Sequence, residues 1–178
     1  VVVLDHDGVH RAGPPSEVSI TAVQRAELAA HIPTLADLYD ACGTDFDLAI
    51  DIKGDGAGQS ISDVATAHSA ADRLWLFTPS SNRPNIVGAA HPGVTVRGRE
   101  LRRDARAATL DRLRDDRIEV VNARWPYWRR AAVEAAHARG MLAFAWDVQW
   151  SLAVLYCRSI RIDGIFSDHV RLLGKALQ

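Results

Sequence analysis

The sequence predicts an α/β protein, specifically a (β/α)8 barrel that lacks its first two strands. Six short apolar runs recur along the chain, at 46–52, 74–78, 94–96, 119–122, 141–146 and 164–166, with stretches of helical character between them. Apolar strands alternating with helices form parallel sheets covered on both faces. The start of the chain adds a third observation. There is no initiator methionine, the single Met being Met141, and a strand at residue 1 has no preceding element to pair with. A natural chain whose beginning is missing is therefore expected, with six βα units remaining of eight. An open doubly wound sheet satisfies the same periodicity and is the competing architecture.

Each element has its own signal. Val1-Val2-Val3-Leu4 reads as a buried strand, and Gly8 as the turn that ends it. Such a strand delivers Asp5-His6-Asp7 to a sheet edge, where α/β enzymes keep their chemistry. Residues 12–31 are polar and irregular, with Pro14-Pro15 and Ser16 giving a loop. Residues 33–43 read as a short helix with Pro33 near its start and Gly43 at its end. Phe46 to Ile52 is a strand, followed by a helix at 57–72 and the strand Leu74–Thr78. A short helical region leads to strand Val94–Val96, and a helix at 99–116 leads to strand Glu119–Asn122. The helix at 127–139 carries an apolar stripe of Trp128, Ala131, Ala132, Ala135 and Ala136, and Gly140 stops it. Strand Met141–Trp146, helix 150–158, strand Gly164–Phe166 and a terminal helix complete the pattern.

Composition narrows the function. The 178 residues are 48% apolar and 24% charged, enough for one domain with a substantial core. A net charge of −1 argues against a nucleic-acid-binding module, which carries a basic excess. No apolar stretch approaches the roughly 20 residues of a membrane span. Cys42 and Cys157 lack zinc or C-x-x-C spacing and read as buried thiols of a reducing compartment, with the cytoplasm as the default location. Nineteen arginines stand against two lysines, Lys53 and Lys175, a bias of GC-rich bacterial genomes that makes each lysine worth attention.

Three constellations carry chemistry. Asp5-His6-Asp7-Gly8 after an apolar run has the D-x-D spacing of the haloacid-dehalogenase phosphatases, with Asp5 as nucleophile and Asp7 as general acid. That chemistry needs a second acidic pair near the same Mg²⁺. Asp163 and Asp168 are the late candidates, but five residues of strand hold them roughly 16 Å apart. A turn with a surface histidine is the plain alternative. Asp51-Ile52-Lys53 ends a strand, and residues i and i+2 share a face there. A carboxylate beside an ammonium suits a metal-bound phosphoryl group, or makes a structural ion pair. Trp146-Asp147 ends another strand, where the indole lines a pocket or caps the core. Asp168-His169 ends the last strand and also reads as a helix cap. The Arg-rich segment 97–117, interleaved with Asp and Glu, reads as a solvated helix face. His31, His68, His91 and His137 have no partner at a telling spacing.

Together these stretches resemble the glycerophosphodiester phosphodiesterase family, in a bacterial, actinobacterial-looking branch. The matching segments are VVVLDHDGVHR (1–11), HIPTLADLY (31–39), FDLAIDIK (46–53), RLWLFTPS (73–80), EVVNA (119–123), FAWDVQ (144–149) and IDGIFSDHVRLL (162–173). The resemblance runs from end to end and displaces the haloacid-dehalogenase reading. It implies a TIM barrel and hydrolysis of glycerophosphodiesters to glycerol 3-phosphate and an alcohol, assisted by a divalent ion, Mg²⁺ or Ca²⁺. By resemblance, His6 is the second of two acid/base histidines, Asp51 a metal ligand, Lys53 a phosphate contact and Trp146 the pocket aromatic. The expected partner is a small phosphodiester, with no nucleic acid.

Position 51 is Asp where the wider family usually has Glu. The His-Arg-Gly and Glu-x-Asp motifs of the family's first two strands do not occur in this chain, so its 178 residues alone are expected to be inactive. A related phosphoinositide or sphingolipid phosphodiesterase and a non-catalytic phosphoester-binding remnant are the alternative functions.

Overall fold

A computed structural model describes residues 1–11, 17–29, 31–82, 86, 89–169, 171 and 173–174. The Pro14-Pro15-Ser16 loop, Lys175, most of the short helical region before residue 91 and half of the terminal helix lie outside the described residues. The chain forms two compact units, one of Val1–Thr78 with Pro84–Ala90 and one of Pro79–Arg83 with His91–Gln178.

In the first unit the opening valine run is not the buried strand its composition suggests. Val1 is 94% exposed, and the run makes one antiparallel bridge, Val3 to Thr34. The Leu4 N–H donates to the Pro33 carbonyl and the Leu35 N–H to the Val2 carbonyl. Apolar composition makes a strand only where a neighbour supplies the ladder, and here the neighbour is two residues of loop. A short hairpin follows that the polar composition of 12–31 concealed: β1 (Val9–Arg11) pairs antiparallel with β2 (Glu17–Ser19).

Helix α1 (Leu35–Cys42) begins at a reciprocal cap. Thr34 Oγ1 accepts from the Asp37 N–H at 3.1 Å, and the Asp37 carboxylate accepts from the Thr34 N–H at 2.8 Å. Gly43, at φ 74°, closes the helix in the left-handed conformation favoured there. Hydrogen bonds to the carboxylate from the Thr34 backbone N–H and then from the Thr34 hydroxyl hold the Asp37 carboxyl below its ordinary value of 3.8. A depressed folded-state pKa contributes stability that is present above the unfolded value and lost as pH falls through the folded one. Asp37→Asn should therefore flatten the acid limb of a stability–pH curve below about pH 4, where the unfolded carboxyl begins to protonate. Urea melts across that range check it.

Strand β3 (Leu48–Asp51) pairs in parallel with β4 (Leu74–Pro79), with Ile50 opposite Leu76 and Asp51 opposite Phe77. Helix α2 (Ala57–Ala67) connects them and buries Ile61 and Ala65. It ends five residues before the periodicity suggests, because Ser69 turns left-handed at φ 57° and Ala71–Arg73 forms a 3-10 turn into β4. Leu74, Leu76, Phe77 and Thr78 are all buried, as a strand covered on both faces requires.

The second unit holds β5 (His91–Thr95), β6 (Val120–Arg124), β7 (Leu142–Trp146) and β8 (Gly164–Ile165), with β6, β7 and β8 each parallel to the strand before it. Strictly sequential neighbours match a barrel segment, whereas a doubly wound sheet reverses its order at a switch point. Close packing selects glycine at position 164, where a Cβ would meet the Phe144 ring at 2.8 Å. Helices α3 (Arg106–Asp115), α4 (Arg130–His137) and α5 (Ser151–Ser159) cover the strands.

The helix expected at 99–116 is split into a 3-10 turn, Gly98–Leu101, and α3. The Arg97 N–H donates to Glu100 Oε2 at 2.7 Å and the Glu100 N–H to the Arg97 carbonyl at 2.9 Å, which closes that first turn. The arginines of α3 are solvated ion-pair partners, as their interleaving suggests: Arg114 meets Asp111 and Asp115. The expected helix at 127–139 starts later, at Arg130, because Trp125–Tyr127 makes its own 3-10 turn. Trp128 then drops fully into the core, with its Nε1–H donating to the Phe144 carbonyl at 2.8 Å.

Of the two cysteines only Cys157 is buried, and burial pushes its thiol up to about 11. Cys42, in the last turn of α1, is exposed. Three histidines without telling spacing have partners distant in sequence: His68 with Asp40, His91 with Glu119 and His137 with Asp163. Among the described residues no helix is long and apolar enough to cross a membrane.

Candidate active site

The Asp5-His6-Asp7-Gly8 segment is a surface turn built by its own side chains. Asp5 Oδ1 accepts from the Asp7 N–H at 3.0 Å and the Gly8 N–H at 2.6 Å, and Gly8 completes the turn at φ 67°. This local bonding is the reason for Asp and Gly at those positions. Asp5 is thereby committed to the backbone. The His6 side chain is 99% exposed, and its Nδ1 lies 2.8 Å from Asp7 Oδ1. A carboxylate only accepts, so Nδ1 carries the hydrogen and the neutral ring presents its lone pair at Nε2. Asp7, which the D-x-D reading made a general acid, orients the imidazole.

Strand β3 supplies the second component. Asp51 is its last residue, Ile52 turns into the core, and Lys53 returns to the Asp51 face. Lys53 Nζ donates to Asp51 Oδ2 at 2.5 Å, with both side chains about half exposed. The His6 turn reaches this strand end through Gly8, where a Cβ would lie 3.2 Å from Lys53 Cβ. Two further contacts hold the approach. The Ile20 N–H donates to the Gly8 carbonyl at 3.0 Å, and Gly54 sits against the Thr21 methyl. The structure thus brings the turn carrying His6 to the strand end carrying Asp51 and Lys53.

Trp146 belongs to the second unit. It is the last residue of β7, paired in register with Arg124, and 39% exposed, so it does not cap the core. Beside it Asp147 takes a left-handed φ of 61°, a conformation that costs a non-glycine residue of order 1–3 kcal/mol unless its surroundings impose it. Arg124 does so, its Nε donating to Asp147 Oδ2 at 2.6 Å. That bond and the nearby Asp147 charge raise the Arg124 pKa further. Sequence reading missed Arg124, although an arginine closing the apolar run VVNA was a visible signal. It also missed Gln149, which donates to Asp168 at 2.6 Å and accepts from the Asp168 N–H at 3.2 Å. Asn122 is buried in β6, with its Nδ2 donating to Thr95 and its Oδ1 without a partner among the described residues.

The residues present do not by themselves fit a divalent cation. Among the described residues no three His, Cys, Asp or Glu side chains gather as a metal site, and Asp51 is engaged by Lys53. Nor do Asp163 and Asp168 share a position: Asp163 binds His137 and the Ala143 N–H, while Asp168 binds Gln149.

No protein-family model matches the sequence, and no curated protein matches it. Solved structures do. A protein of Agrobacterium tumefaciens described as a glycerophosphoryl diester phosphodiesterase superposes with a TM-score of 0.83 at 13% identity, covering 98% of this chain and 79% of that one. The glycerophosphodiester phosphodiesterase of Thermotoga maritima gives 0.77 at 18% identity, covering 99% and 79%. A phosphodiesterase of Oleispira antarctica, in complex with the product sn-glycerol-3-phosphate, gives 0.75 at 17% identity, covering 98% and 78%. At these identities the likeness is one of fold. The chain has the truncated (β/α)8-barrel fold of the glycerophosphodiester phosphodiesterases.

Proposed function

We propose that this chain is the catalytic portion of a phosphodiester hydrolase that cleaves glycerophosphodiesters into glycerol 3-phosphate and an alcohol. The observation that carries this reading is the Asp51–Lys53 pair at the end of β3, with the His6 turn packed against Lys53 through Gly8. The fold shared with phosphodiesterases supports it.

Hydrolysis forms one P–O bond to the attacking oxygen and breaks one to the leaving alcohol, which must gain a proton. His6 Nε2, oriented by Asp7, is the group that moves a proton at one of these oxygens. The Lys53 ammonium offsets charge on a phosphoryl oxygen, and Asp51 holds it in place. A divalent cation, Mg²⁺ or Ca²⁺, enters the proposal only with Asp51 as one of its ligands, would need others beyond it, and no step above depends on it.

The test is a calorimetric titration of the intact protein with glycerol 3-phosphate. Lys53→Met should weaken binding by about 10–100-fold, the worth of a hydrogen bond to a charged group. Asp51→Asn should weaken Mg²⁺ or Ca²⁺ binding while the fold persists. Unchanged glycerol 3-phosphate affinity in Lys53→Met would sink the assignment.

A further inference from the structure

The second unit exposes Tyr127, Trp146, Trp150, Leu152 and Leu155, and three of these cluster at α5. That helix buries Ala153, Val154 and Cys157. At 100° per residue, the opposite direction belongs to Ser151, Leu152, Leu155 and Ser159. Leu152 is 80% exposed, Leu155 58% and the preceding Trp150 60%. The outer face of such a helix is ordinarily polar, and because its inner face is already packed, these leucines have no place in the core.

The surroundings are cationic. An Arg129 nitrogen lies 3.5 Å from the Tyr156 hydroxyl, and Arg130 donates to the Ser159 carbonyl, so both guanidinium groups rest against α5. Arg158 stands one turn from Leu155, and Arg161 follows the helix. Hydroxyl and carbonyl acceptors leave the positive charge intact. The exposed acids nearby are Glu134, four residues after Arg130 on α4, and Asp163, two residues after Arg161 and bonded to His137, so the four arginines outnumber them.

A second copy of the chain fits this face poorly. Self-association would set arginines against arginines, and three apolar side chains fall far short of the roughly 20–30 residues a side of a stable interface. Tryptophan and leucine ringed by arginine are the composition of a face that lies in a lipid headgroup layer, with the indole at headgroup level and the arginine heads reaching anionic groups. We propose that Trp150, Leu152 and Leu155, flanked by Arg129, Arg130, Arg158 and Arg161, dock the second unit onto an anionic lipid surface.

The test is cosedimentation of the intact protein with vesicles of phosphatidylcholine alone and of equimolar phosphatidylcholine and phosphatidylglycerol. Binding should be confined to the mixed vesicles and fall with salt. Arg161→Gln should lower it about fivefold. Leu152→Ser with Leu155→Ser should lower it at least about tenfold, with near-UV circular dichroism unchanged because both positions face solvent. Absence of binding to mixed vesicles, equal binding to both compositions or full binding by the leucine variant would overturn the proposal. So would a wild-type dimer that the leucine variant dissolves. The readout is independent of hydrolysis, so it stands or falls apart from the phosphodiesterase reading.

Discussion

His6→Ala lowers kcat on a glycerophosphodiester by about 10²–10⁴, the range for a positioned acid/base group. The expectation rests on two geometric facts. Asp7 Oδ1 accepts the Nδ1 hydrogen at 2.8 Å, which fixes the tautomer with Nε2 available for proton transfer. The turn is also held against Lys53 by Gly8, so it sits at the strand end that would engage a phosphoryl group. Affinity for glycerol 3-phosphate should change little, because the imidazole acts on a proton in transit and the anion is held by Lys53. Asp7→Asn provides an internal control: it keeps the size of the side chain but weakens the acceptor that orients the imidazole through Nδ1. A smaller loss of kcat than in His6→Ala should follow, because the imidazole is still present but less well oriented. Steady-state kinetics of both variants check this, and wild-type turnover in His6→Ala would contradict it.

Trp128→Ala should destabilise the protein by about 3–5 kcal/mol, the range for truncating a large buried aromatic. Trp128 is the largest fully buried side chain among the described residues. Its indole N–H donates to the Phe144 carbonyl in β7 at 2.8 Å, and its own carbonyl accepts from the Tyr156 hydroxyl of α5 at 2.8 Å. One residue thus joins the turn after β6 to both the strand and the helix that follow. Trp128→Phe keeps most of the apolar volume but withdraws the donor from Phe144, and should cost about 1–3 kcal/mol. Chemical denaturation of the three proteins should rank them wild type, Phe, Ala. An Ala variant as stable as wild type would mean that this side chain does not anchor the second unit.

The βα alternation was legible because each parallel strand is a short apolar run, and burial on both faces demands that composition. The places that misled share a physical cause: the deciding partner is remote or local bonding outweighs composition. Val1–Leu4 has strand composition but only a loop to pair with. The β1–β2 hairpin has polar composition and forms because its two segments supply each other's ladder. The 3-10 turns at Gly98–Leu101 and Trp125–Tyr127 interrupt helical periods by capping and proline geometry that a hydrophobic pattern does not weigh. At the candidate site, the Asp51–Lys53 pair follows from the two-residue repeat of a strand and was readable. The partnership of Asp7 with His6 was hidden by a spacing that suggested another chemistry. The approach of Gly8 to Lys53, and the strained Asp147 held by Arg124, arise from contacts between segments far apart in sequence.

Release of glycerol 3-phosphate from glycerophosphocholine, measured on the natural protein that carries this segment and not on the 178 residues alone, is the most direct measurement of the central claim. An enzyme-coupled assay should detect stoichiometric glycerol 3-phosphate and choline in the wild type, and a loss of about 10²–10⁴ in rate for His6→Ala with the protein still folded. Failure to release glycerol 3-phosphate, or release of inorganic phosphate from monoesters with a phosphoryl group trapped on Asp5, would contradict it.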